Sequence, residues 1–322
     1  MRVLLLAPLA VLLLAAPAAA QLTAVQVTSD NDAYDFWIPP AERPDYEYSN
    51  GIRVAAEFNG APGWGALARG VAPCARNGAA GAACTTVVEV GQRLYTPRVD
   101  VEVPTPGNRP FAGWLYVAAT GTVVDGSLRH SFGAEVGVTG PPSMAGALMK
   151  KVHRIAGFWD PSGWDHQLGF EPGIVLRYGV EHRVAELRIA GARAAELSLT
   201  GGAGAGNVYT GAQGGIQGRV GLRVPDAWKS VRQRGPSFYV SGGLGGEAVV
   251  RNLFLDGNTF SDAPPRVERE RLLGRVNWGI GAAMGGASLE YRVQTRTREY
   301  EEELGNHTFG TFELTWRPAR AR

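Results

Sequence analysis

The sequence predicts an all-β chain, a closed antiparallel barrel of about twelve strands with one amphipathic helix in an outer loop. Three observations predict it. Segments of alternating apolar and polar residues recur along the chain, many of them long enough to cross a bilayer at a tilt, for which roughly 9–11 residues suffice. The composition has 44 Gly, 8 Trp, 10 Tyr and 11 Phe and a mean hydropathy of −0.10. Such an average arises when each strand turns one side to lipid and the other to a polar interior. Beyond the N-terminal leader, no run approaches the roughly 18 consecutive apolar residues of a spanning helix.

Met1 to Ala20 reads as a secretory signal: Arg2, the apolar run VLLLAPLAVLLLAAP, then Ala18-Ala19-Ala20 as a small-residue cleavage site. Residues 21–322 then form one outer-membrane barrel domain, since no low-complexity linker divides them. Strands are expected at 22–31, 48–58, 85–95, 111–124, 129–139, 165–178, 181–199, 204–224, 236–250, 267–281, 284–299 and 307–317. Their even number permits closure, and an open edge in lipid would leave backbone groups unpaired. In the last strand Phe312, Leu314 and Trp316 share one side, with Thr311, Glu313 and Thr315 on the other. In the seventh, Glu186, Arg188 and Glu196 are expected to point into the lumen. Cys74 and Cys84 flank the loop ARNGAAGAA and read as a disulfide of an exported protein. That loop and the basic segment Lys229 to Arg234 read as insertions in periplasmic turns. A formal net charge of +2 without a basic run argues against nucleic acid as a partner.

The helix is expected between the fifth and sixth strands, in GPPSMAGALMKKVHRIAGFWDPSGWDHQLGFEP, Gly140 to Pro172. Pro141 and Pro142 suit its first turn and Gly157 its end. Helical spacing places Met144, Leu148, Val152 and Ile155 on one apolar stripe, Lys150, Arg154 and Gly157 opposite, and His153 at the border. With Lys150, Lys151 and Arg154 beside it, the stripe favours a helix lying among lipid headgroups. His153 alone is more readily a helix residue without chemistry than a base.

If the first strand starts from the periplasm, Asn31, Asp32, the 96–109 connection and the helix all lie at the outer end. Asn31, Asp32 and Ser49 then face one another across the first hairpin. A carboxylate with an amide and a hydroxyl can hold a hard cation or orient a water for a neutral His. The same residues are equally at home as ordinary polar loop residues.

The segments Asn31-Asp32, DYEYSNG (Asp45 to Gly51), Leu94-Tyr95-Thr96-Pro97, NRPFAGWLY (Asn108 to Tyr116), Gly140-Pro141, VHRIAG (Val152 to Gly157) and GWDHQLGFEP (Gly163 to Pro172) are spread over about half of the mature chain. In that order they resemble the outer-membrane lipid A 3-O-deacylase family. The resemblance implies a twelve-stranded barrel in the bacterial outer membrane, with its active site between the wall and an outer-loop helix. It implies a lipid A or lipopolysaccharide substrate, dependence on Ca2+, hydrolysis of the 3-linked acyl ester, and a monomer among outer-membrane lipids. By position, His153 resembles the family's catalytic base, and Asn31, Asp32 and Ser49 its other essential polar residues, with Asp32 as the metal ligand. Arg109 and Lys150 are the expected substrate-binding residues, as phosphate contacts. The chain departs from the pattern at Met149, where the family has Gln, and at Phe158-Trp159, where it has an acidic residue and Asp160 is the nearest carboxylate here. The same base and cation would also suit an outer-membrane phospholipase, and the departures suit a non-catalytic barrel. No G-x-S-x-G occurs, so a serine nucleophile elbow is not an option.

Overall fold

The computed structural model describes residues 21–36, 46–60, 83–98, 105–157, 162–261 and 266–319. The signal segment, Cys74, Trp159 and Asp160 lie outside them; Cys84 is disulfide-bonded. The strands are β1 (Leu22–Asn31), β2 (Glu47–Asn59), β3 (Ala83–Thr96), β4 (Ala112–Asp125), β5 (Leu128–Thr139), β6 (Glu171–Ile189), β7 (Ala192–Gly206), β8 (Tyr209–Leu222), β9 (Gln233–Asn252), β10 (Leu272–Gly285), β11 (Ala287–Arg296) and β12 (His307–Trp316). Each pairs antiparallel with the next, and β1 closes on β12 in a register running from Val25 opposite Trp316 to Asn31 opposite Gly310. Closure satisfies every strand edge, the condition for a sheet in lipid. Among the described residues no helix is long and apolar enough to cross a membrane.

Period-2 alternation decides which side chains meet lipid. Leu314 and Trp316 of β12 are exposed, as are Ile174, Leu176 and Tyr178 of β6, while Thr311 and Thr315 are buried in the interior. Inward positions carry ion pairs: Arg93 and Arg177 both reach Glu135, and Arg183 reaches Glu196.

Several expected boundaries move; the sixth strand begins at Glu171, after the 3-10 turn Trp164–His166, and two of the expected breaks change the strands themselves. The break placed before residue 181 does not exist: β6 runs for 19 residues through Gly179 and turns at Ala190-Gly191, whose φ values are 48° and 78°. Gly179 packs directly against Ser131 Oγ, where a Cβ would sit 2.6 Å away. The glycine therefore serves close packing inside the wall rather than a turn. Likewise the glycine-rich 201–206 run is the end of β7, and the chain reverses at Asn207-Val208. Glu186 and Arg188 thus belong to β6 and Glu196 to β7. Glu186 and Glu196 do face the inner mouth, paired with Arg193 and Arg219, whereas Arg188 is exposed.

The lumen is filled from both ends. At the outer end Tyr48, Tyr95, Trp114, Tyr116 and Phe309 pack with Leu253 and Phe254 of a single helical turn, Leu253–Asp256. At the inner end the β8–β9 connection folds into the mouth. Arg183 and Arg193 hold Asp226 at 2.9 and 3.2 Å, and the Arg183 guanidinium lies 3.9 Å from the centre of the Trp228 ring. A cavity of about 260 Å³ remains, bounded by this connection and by residues from strands all around the barrel.

The outer helix, α1 (Ala145–Ala156), differs from expectation in its start and in the burial of His153. Pro141–Ser143 form a separate 3-10 turn, and Met144, at φ 57°, breaks the chain direction before α1 begins. Gly157, at φ 73°, ends it by donating its N–H to the His153 carbonyl. The apolar stripe is not the packed face. Val152 is 48% and Ile155 77% exposed, whereas Ala145, Met149 and His153, spaced four apart, are buried.

Candidate active site

The packed face of α1 lies against the outside of the barrel wall. Ala145 and Met149 form one cluster with Leu94 of β3, Phe111 and Trp164, and the Gln92 side chain donates to the Ser143 carbonyl at 2.5 Å. Gly113 of β4 permits this approach, because a Cβ there would run into Ala145 and Ser143. Trp114, the next residue, points the other way, donating to Glu135 in the lumen at 2.6 Å.

Two residues beyond Leu94, on the same face of β3, Thr96 meets Ser49 with their hydroxyl oxygens 2.5 Å apart. Ser49 sits at a β-bulge, where the β2–β3 register slips between Tyr48 and Asn50. Such a bulge re-aims a side chain next to a site. Across the first hairpin Asn31 pairs with Asn50 and caps the short turn Asp32–Tyr34 by accepting the Ala33 N–H at 2.8 Å. Asp32 is fully buried and its Oδ2 accepts the Tyr46 N–H at 2.8 Å. The turn then lays Tyr34 and Phe36 against Phe312 and Tyr291, an aromatic group on the lipid-facing side of the kind found at membrane interfaces.

Asn31, Asp32 and Ser49 therefore converge at the outer ends of β1 and β2. His153, in the last turn of α1, is buried on the face turned to the same wall, and Lys150 lies half-buried one turn earlier. Thr96 and the Tyr46 N–H were not anticipated as partners. For Thr96 the signal was its period-2 relation to Leu94 within the LYTP segment.

Arg109 corrects an expectation. Its side chain is 0% exposed, lies 3.0 Å from both Glu47 and Glu299, and sits over the Tyr95 ring at 4.7 Å. Two carboxylates already answer its charge and no solvent reaches it, so it does not meet a substrate phosphate. Glu47 itself is fully buried, accepts the Tyr300 hydroxyl at 2.7 Å, and holds φ 68°. For a non-glycine residue that conformation costs about 1–3 kcal/mol and persists only where the surroundings dictate it.

Beside this group, burial and the neighbouring Glu47 and Glu299 push the Glu303 carboxyl up to about 7 from an ordinary 4.5. A carboxyl raised in the fold contributes stability that is complete below its unfolded value and is lost as pH rises through its folded one. Amide protection in the 297–306 loop, taken relative to intrinsic exchange at each pH, is accordingly expected to fall between pH 4.5 and above 7. Glu303→Gln should flatten that dependence; an equally steep profile in the variant would place its origin elsewhere.

The polar side chains gathered at these strand ends, Asn31, Asp32, Ser49 and Thr96, carry oxygen ligands, the chemistry that suits a hard cation rather than a soft one. Among the described residues no group of three or more His, Cys, Asp or Glu could hold a metal ion, and Asp32 shares its turn with a second buried carboxylate, Asp35.

A closed, edgeless barrel with apolar residues facing outward and ion pairs inside defines an outer-membrane protein. The chain belongs to the LpxR outer membrane protein family, whose model matches residues 4–318, and this is the family its motifs resemble. In structure it is similar to LpxR from Salmonella typhimurium, with a TM-score of 0.75 at 16% identity over 91% of this chain and 99% of that one. The β domain of the Bordetella autotransporter BrkA is more distant, at TM-score 0.46 and 12% identity over 92% and 98% of the two chains. No curated protein matches the chain in sequence.

Proposed function

We propose that the protein is a lipid A deacylase, an ester hydrolase that removes the 3-linked acyloxyacyl or hydroxyacyl chain from lipid A in the outer leaflet. The observation that carries this reading is the position of the constellation. Asn31, Asp32 and Ser49 gather at one end of the barrel, and α1, with His153 on its buried face, packs against the outside of the wall. An ester is reached there from the side, without extracting the lipid.

His153, as the neutral imidazole, takes a proton from the attacking water and returns it to the departing sugar oxygen, so that ester and water become acid and alcohol. Asn31 and Ser49 orient the water and the ester, and Thr96 fixes the Ser49 hydroxyl. Lys150 meets a lipid phosphate. Asp32 would hold Ca2+, which would supply positive charge where the ester oxygen becomes negative. Met149 gives the wall an apolar contact where the family has an amide.

Product analysis tests the reading. Cells expressing the protein should release free hydroxy fatty acid and show lipid A lighter by one acyl chain. Lysophospholipid instead would establish a phospholipase, and unchanged lipids a non-catalytic barrel.

The exposed stripe of α1, with Lys151 and Arg154 beside it, suits immersion at the headgroup boundary. Val152→Ser with Ile155→Ser should lose about 2 kcal/mol of lipid contact, lowering the rate on vesicle-embedded lipid A by roughly tenfold or more. The rate on detergent-dispersed substrate should hold; an equal loss on both would deny the contact.

A further inference from the structure

The outer end of β2 carries two consecutive irregularities, the left-handed Glu47 and the bulge at Ser49. Tyr46, just before Glu47, and Ser49, two residues after it, both serve the site: Tyr46 donates its N–H to Asp32, and Ser49 meets Thr96. Glu47 itself turns away from that face, into a buried knot made by segments distant in sequence. Arg109 reaches it from the segment before β4, and Tyr300 from the β11–β12 connection. Arg109 is in turn held by Glu299, which also takes Arg296 at 2.7 Å. Tyr48, between the two irregularities, is fixed inward by its hydroxyl on Asp30 at 2.7 Å. A short loop residue gains nothing from positive φ unless something holds it there, and here the side chain is gripped at both carboxylate oxygens.

We infer that Glu47, clamped by Arg109 and Tyr300 on the lumen side of β2, is a positioning residue. It imposes the backbone path that aims the Tyr46 N–H at Asp32 and the Ser49 hydroxyl at Thr96 on the outer face. This rests on the deacylase reading only for its effect on turnover; the aiming of Tyr46 is independent of it. Arg109 thereby acts on the site through Glu47 without touching substrate.

The test uses the full-length protein in detergent, comparing wild type with Glu47→Ala, Glu47→Gln and Tyr300→Phe. Amide exchange at Tyr46 is read by NMR, and hydrolysis of lipid A is followed per folded, heat-modifiable barrel. Glu47→Ala is expected to expose the Tyr46 amide to exchange and to lower kcat by roughly ten- to a hundredfold with KM little changed, the size expected of a small misplacement at a site. Glu47→Gln, which keeps an acceptor for Tyr300, should restore most of both. Should Glu47→Ala not fold, Tyr300→Phe removes one of the two grips and should give the same pair of changes in smaller measure. A Tyr46 amide as protected in the folded variants as in wild type overturns the inference, whether or not the protein hydrolyses lipid A. So does a wild-type kcat in a folded Glu47→Ala enzyme. A wild type without hydrolysis, by contrast, removes the deacylase reading and leaves the exchange comparison to decide the positioning role.

Discussion

Replacing His153 with Ala is expected to abolish the loss of an acyl chain from lipid A while leaving a folded barrel. The expectation follows from where the ring is held. It sits on the packed face of α1 with Ala145 and Met149, against a wall whose neighbouring strand ends carry Asp32 and Ser49. A positioned general base contributes roughly 10²–10⁴-fold, so the residual rate should fall below what a mass spectrum of lipid A detects. His153→Gln separates chemistry from packing, since it keeps a polar side chain of similar reach but provides no base; it should be as inactive as Ala. A chelator applied to wild type should produce the same silent spectrum if Asp32 holds Ca2+. Activity that survives the chelator but not the substitution would remove the calcium assignment and keep the base. Deacylation that survives His153→Gln would remove the base itself.

Much of the fold was legible because a membrane barrel writes period-2 alternation into nearly every segment. Leu314 and Trp316 face out, and β1 closes on β12 as the even strand count required. The rim was legible through its motifs, and Asn31, Asp32 and Ser49 do converge. What failed has specific causes. The breaks expected at 179–180 and 200–203 fall on glycine-containing stretches that the strands run through, and in a barrel wall a glycine such as Gly179 makes room for a neighbour, here Ser131. The exposed apolar stripe of α1 agrees with a helix lying among lipid headgroups, but the face that packs on the wall, Ala145, Met149 and His153, carries too few apolar residues to be read from the sequence. His153 therefore moved from the border of the helix to its packed side. Arg109 was read as a phosphate contact because its true partners, Glu47 and Glu299, lie 62 and 190 residues away in sequence. No local pattern announces a pairing of that range.

Gly113→Leu is expected to cost as much activity as the loss of the base, through geometry alone. Gly113 lies on the outer face of β4, where a Cβ would already collide with Ala145 and Ser143. Those atoms belong to the start of α1 and to the 3-10 turn before it, so they cannot swing aside as a long side chain would. A leucine must push the helix off the wall. The barrel itself does not depend on that contact. Its hydrogen-bond ladders at Gly113 run to Leu94 in β3 and beyond, and the lumen-facing Trp114 keeps its bond to Glu135. The variant should therefore remain heat-modifiable while His153, carried on α1, is displaced by more than an ångström, enough for roughly a hundredfold loss in rate. Val117→Leu serves as the control. It enlarges a lipid-facing residue two positions beyond the next outward site on the same strand and should change nothing. Wild-type hydrolysis by a folded Gly113→Leu protein would mean that α1 acts without resting on β4. The site would then have to be assembled from the strand ends alone, with His153 outside it.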